Sequence, residues 1–152
     1  MINLNNKKNI LQFLGILGFI PFLFFMFLSL IDQSNSVKYL KATLFYLSIV
    51  ISFIGAAYWG IALKLRTKNI KLSIFSVTPA ILVSLLYILN IDLFKKLLAG
   101  ILFLNIIFFY ERSYLKDYIP IWYIELRKKL NFLVTFSVLI IILTTFNYKD
   151  YF

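Results

Sequence analysis

Arg127 follows Trp122 by five positions and Tyr123 by four. On a helix this puts a guanidinium one turn from a phenol. The guanidinium is a planar fork that matches a phosphate or a carboxylate, and the two aromatic rings suit the headgroup level of a bilayer. Two chemistries fit the cluster. One is an ordinary basic anchor that works by charge alone. The other is a bidentate contact, to a lipid phosphate or a helix-end carbonyl, that fixes the helix. Histidine and cysteine are both absent from the chain. That removes zinc, haem, iron–sulfur and blue-copper sites of the usual ligation, Cys or Ser–His nucleophile pairs, and disulfides. No convincing base or nucleophile accompanies Arg127 and the lysines near it. The expectation is therefore a protein that is not an enzyme and carries no cofactor or metal.

The elements that must hold this cluster follow from composition. Of 152 residues, 62% are hydrophobic, 19% aromatic and 14% charged, with a mean hydropathy of +0.90. A soluble domain is normally near half apolar and a quarter charged. Five spans of about 20 residues use about 100 positions, which excludes an appended soluble domain or a nucleotide fold. The expected fold is an all-α integral membrane protein. It is a bundle of five transmembrane helices plus a short interfacial helix before the last span, forming one polytopic domain over residues 1–152.

Apolar runs place the spans at about 10–31, 39–63, 72–89, 93–110 and 130–146. The first run exceeds the apolar core of a signal peptide, about 7–15 residues, and reads as a retained span. The loop 32–36 is polar and turn-prone. In the fourth run the part free of charged residues, 97–110, makes only about 21 Å of helix. It reaches about 27 Å when Lys95 and Lys96 snorkel, and a re-entrant segment is the alternative. The interfacial helix is expected over about 118–129, capped by Asp117, with Pro120 in its first turn. Ile119, Trp122, Tyr123, Leu126 and Leu130 share one side of it, and Glu125 pairs with Lys129 at i,i+4.

Lysine plus arginine is 16 and aspartate plus glutamate is 6, a net charge of +10. Across five spans, 11 of the 16 basic residues fall on the N-terminal side and five on the other. The positive-inside rule then places the N-terminus in the cytoplasm and the C-terminus outside. That parity changes if the fourth run does not cross. Anionic lipid headgroups on the cytoplasmic side are the expected partners, together with other membrane proteins. Nucleic acid is not, because the basic residues sit between apolar runs and not on a water-exposed face.

No Asp, Glu, Lys, Arg or His lies in the central part of any span, which argues against an ion-driven transporter. Ser, Thr and Asn remain there, and such groups bond between helices or back to their own carbonyls. Ser48, Ser52, Ala56 and Gly60 recur every four residues, a narrow small-residue stripe that predicts a helix contact. Ser76, Ala80 and Ser84 form a shorter version. Gly15 and Gly18 share a face with Pro21, which should kink the first span, and Pro79 should kink the third.

Three ordered stretches resemble a known family: 15–22 (GILGFIPF), 51–60 (ISFIGAAYWG) and 120–127 (PIWYIELR). Their order and spacing are similar to domain of unknown function 3429, a transmembrane protein 69-like family, with Ser76 and Pro79 fitting its third-span pattern. The likeness covers about residues 13–140 and includes Gly15, Gly18, Pro21, Gly55, Trp59, Gly60, Pro79, Pro120, Trp122, Tyr123 and Arg127. It implies a small polytopic inner-membrane protein, bacterial or mitochondrial, without an assigned activity. The family pattern has a histidine before the tryptophan of the second stretch, where this chain has Tyr58. The 13 lysines against three arginines, with many Ile and Asn, suggest an AT-rich bacterial genome. No Arg-rich, acid-poor transit segment precedes the first span, so the expected location is the bacterial inner membrane, with the mitochondrial one as alternative.

Function is expected to be non-enzymatic: an accessory or assembly protein that packs against other membrane proteins or lipid. The alternative is a small carrier or channel for a neutral or apolar solute, with the kinked first and third spans as walls. A lipid-modifying enzyme holding a phosphate near Arg127 ranks third.

Overall fold

The computed structural model describes residues 4–65 and 70–149. Its helices are α1 (Leu4–Leu17), α2 (Ile20–Ile31), a 3-10 turn (Gln33–Asn35), α3 (Ser36–Leu65), α4 (Ile70–Ile88), α5 (Leu93–Tyr114) and α6 (Ile121–Lys149). No strand occurs among the described residues. Among the described residues, five helical segments are long and apolar enough to cross a membrane, with α1 and α2 together making the first. The fourth, expected to be short, is one continuous helix of 22 residues, or about 33 Å.

The prolines of the first and third apolar runs act differently. Pro21 has no N–H to donate, and its ring crowds the carbonyl four residues back, at Leu17. The first span accordingly breaks at Gly18–Phe19, with Phe19 N bonding the Ile16 carbonyl at 2.9 Å before α2 begins. Pro79 lies inside α4, which runs on without a break.

The short interfacial helix expected over 118–129 is not a separate element. From Ile121 onward its residues are the first turns of α6, a helix of 29 residues. No glycine or proline lies between 121 and 149 to end it. It also starts later than expected. The carbonyl of Pro120 accepts from Tyr123 N at 2.9 Å, so Pro120 is the cap residue and Asp117 lies in the preceding turn.

The chain divides into two compact units, Met1–Leu40 with Leu104–Phe152, and Lys41–Phe103. In the first, α2 lies along α6 and α1 touches it more lightly. Phe22, Leu104, Val134, Val138 and Ile141 are buried there, and Thr144 Oγ1 donates to Ser29 Oγ at 3.3 Å. Between α2 and α3, the Asp32 carboxylate accepts from Ser34 Oγ at 2.6 Å, Asn35 Nδ2 at 2.9 Å and Tyr39 OH at 2.8 Å. These bonds stabilise the anion and hold its pKa at about 2.

In the second unit Leu47, Ile51, Ile54, Val83, Leu86 and Leu97 are buried. Gly100 of α5 makes room for Leu47 of α3, whose Cδ2 would lie 2.8 Å from a Cβ at position 100. The outer surfaces are apolar: Phe53, Phe109, Phe132 and Ile88 are each more than two-thirds exposed. Surfaces of that kind suit hydrocarbon and not water. Several hydroxyls in the helices satisfy themselves locally, as Ser48, Thr78, Ser84 and Thr145 do by donating to carbonyls four residues back at 2.8–2.9 Å.

Candidate functional site

Glu111 ends a long apolar run, and the helix carries past it to Tyr114. The connection to α6 is then only six residues long. It turns tightly, with Leu115 N bonded to Glu111 O and Ile119 N to Leu115 O, while Leu115 and Ile119 bury their side chains. This short return brings the last turn of α5 beside the second turn of α6. Arg127 Nε donates to Glu111 Oε2 at 3.2 Å. Glu111 is fully buried and Arg127 is 8% exposed. A buried pair of this kind must repay the desolvation of both charges, so it is weak evidence for stability and stronger evidence for a specific role.

On α6 the pair continues into the span at helical spacing. Tyr123, Arg127, Asn131 and Thr135 follow one another every four residues. Tyr123 is within electrostatic reach of both charges. Asn131 Nδ2 donates to Asn105 Oδ1 at 2.8 Å, and Asn105 Nδ2 donates to Thr135 Oγ1 at 3.4 Å. The result is a polar file between α5 and α6. Three of its buried atoms have no partner: Glu111 Oε1, Arg127 Nη2 and Asn131 Oδ1.

The motif residues gather in each unit. In the first, Gly15 of α1 faces Leu126 and Leu130 of α6, whose methyls would lie 3.1 and 3.5 Å from a Cβ at position 15. Gly18 is at the helix break, Pro21 opens α2 and Pro120 caps α6. Trp122 and Tyr123 are half-buried and meet edge to face at 6.0 Å. In the second unit, Gly55 meets the Ser76 carbonyl and the Pro79 ring. Tyr58 is buried with its ring 5.7 Å from that of Phe75, and Trp59 is half exposed.

The small-residue stripe departs from expectation. Ser48 is buried and Ser52 partly so, but Ala56 and Gly60 are exposed, and nothing lies within 4 Å of a Cβ at Gly60. The close approach of α3 to α4 uses Gly55, one position off the stripe. Ser48, Ser52 and Ala56 instead floor an open groove of about 650 Å³ between α3 and α4, walled by Phe45, Phe53, Val83 and Tyr87. The anchor cluster also gains a partner that local spacing does not supply, the Glu111 carboxylate on α5, while Glu125 and Lys129 are both exposed. The signal was a lone carboxylate closing an apolar run, with an arginine opening the next.

The family model described as "Protein of unknown function (DUF3429)" matches residues 7–143. The chain belongs to this family. The three sequence stretches that resemble DUF3429 thus lie within the matched segment, as do Glu111 and the asparagine pair. No curated protein and no solved structure matches the chain.

Proposed function

We propose that this DUF3429 protein is a five-span protein of the bacterial inner membrane, N-terminus in the cytoplasm, that works without catalysis as an accessory or assembly factor. It packs against another membrane protein through the α3–α4 face, and its basic cytoplasmic side rests on anionic lipid. The observation that carries this reading is the open groove floored by Ser48, Ser52 and Ala56, with Phe45 and Phe53 along one wall. Small residues let a foreign backbone come close, and that contact is a main source of helix association in lipid. An open groove suits a helix better than a small solute, which needs an enclosed site. The accessory reading is therefore preferred to the carrier.

A photoreactive amino acid at Ala56, irradiated in living cells, tests the proposal. A discrete protein adduct is expected from position 56 and none from Ile106, which is exposed on α5. Ala56→Leu should abolish the adduct formed from a probe at Ser52. Adducts to lipid alone from both positions would overturn the reading.

A further inference from the structure

Three buried atoms of the polar file lack a hydrogen-bond partner. Glu111, Arg127 and Asn131 are each more than nine-tenths buried, and each carries one polar atom without a partner. They are neighbours, because Glu111 accepts from Arg127 and Asn131 follows Arg127 by one helical turn. Bare polar groups in an apolar medium are costly, so each needs a counterpart. What is unmet is one cationic donor and two acceptors, one of them anionic. Glu111 and Arg127 already cancel each other, so a ligand with net charge would leave that charge buried and unpaired. The complement is a zwitterion with an anionic oxygen and an N–H-bearing cation.

We propose that the site binds the headgroup of a phosphatidylethanolamine, its phosphate on Arg127 Nη2 and its ammonium shared by Glu111 Oε1 and Asn131 Oδ1. An ammonium has three donors and can serve both oxygens, while a guanidinium is well matched to phosphate. The depth agrees with a headgroup, since the pair joins the end of α5 to the start of α6 beside Trp122 and Tyr123. Arg127 keeps a tenth of its side chain at the surface, whereas Glu111 keeps none. Phosphatidylcholine has no N–H to give the two oxygens. Phosphatidylglycerol brings its net negative charge to the Glu111 carboxylate. The inference rests on the membrane reading above.

The test starts from membranes washed in alkaline carbonate, from which the protein is purified in detergent. It is then offered an equimolar mixture of dioleoyl phosphatidylethanolamine, phosphatidylglycerol and phosphatidylcholine, and bound lipid is counted by native mass spectrometry. Wild type should retain one phosphatidylethanolamine with a preference of about tenfold, the size of one good charge-assisted hydrogen bond. Glu111→Gln leaves Arg127 uncompensated and should move the preference to phosphatidylglycerol. Asn131→Leu should lower phosphatidylethanolamine retention without that inversion. Equal retention of the three lipids by wild type, or a preference for phosphatidylglycerol, overturns the proposal whether or not the variants fold. Stabilisation by soluble phosphoethanolamine with no lipid retained would assign the site to a free zwitterion and overturn the lipid source. Release of the protein by carbonate would instead overturn the membrane reading.

Discussion

Gly55 of α3 faces the carbonyl oxygen of Ser76 in α4 so closely that a Cβ at position 55 would lie 2.5 Å from it. The obstacle is backbone, and the Pro79 ring sits 3.2 Å away on the same side, so neither can yield without moving a helix. Gly55→Ala should cost about 1–3 kcal/mol, as overpacking does. Gly60→Ala meets open space and removes a helix-interior glycine, so it should be neutral or stabilise by about 0.5–1 kcal/mol. Thermal unfolding in detergent compares the two. Equal melting of Gly55→Ala and wild type would mean that α3 and α4 do not meet there.

The Glu111–Arg127 pair predicts a non-additive cycle. Removing either partner strands a buried charge, so Glu111→Ala and Arg127→Ala should each cost about 3–5 kcal/mol. The double change Glu111→Leu with Arg127→Met leaves no charge and should recover most of that loss. Arg127→Lys should be clearly destabilised, because the flat fork that sets Nε on Glu111 is gone. A surface anchor predicts the reverse. If Arg127→Lys unfolds with wild type while Arg127→Ala is worse, charge alone matters.

Much of the fold was legible because apolar run length is a strong signal, and the five runs correspond to five helical segments. Boundaries that depend on proline chemistry were legible only in part. Pro21 and Pro79 look alike in sequence, yet one ends a helix and the other is accommodated beside Gly55, a difference set by tertiary contact. The site was half legible. Arg127 stood out through its spacing to Trp122 and Tyr123, but its counter-charge lies 16 residues back on another helix, beyond any local pattern. Asn105 and Asn131 were visible as polar residues in apolar runs, and only the packing of α5 on α6 pairs them. The small stripe does not say whose helix it meets, because its period of four fits a contact inside the chain as well as one outside it.

Asp32 should make stability pH-dependent over a narrow acid range. Its carboxyl is held at about 2 by donors from Ser34, Asn35 and Tyr39, against 3.8 for a free side chain. A depressed pKa adds stability above about 3.8, and that contribution is lost as pH falls through the folded value. Asp32→Asn should therefore be less stable than wild type at pH 6, and the gap should close by pH 2. A gap that stays constant from pH 6 to pH 2 would mean the carboxylate's charge is not what the three donors stabilise.

Topology can be read by labelling, because the chain has no native cysteine. Ser34 is exposed in the turn between α2 and α3, and Lys116 is exposed in the turn between α5 and α6. On the orientation proposed above, the second of these turns is cytoplasmic and the first lies outside. Three spans separate the two positions, α3, α4 and α5, so they must lie on opposite sides if all three cross. In intact cells an impermeant maleimide should react with Ser34→Cys and leave Lys116→Cys unmodified until the membrane is opened. Reaction at Lys116→Cys alone would keep five spans and invert the orientation. Reaction at both positions would mean that one of the three helices does not cross, and α5 is the first to suspect because Lys95 and Lys96 lie in its first turn.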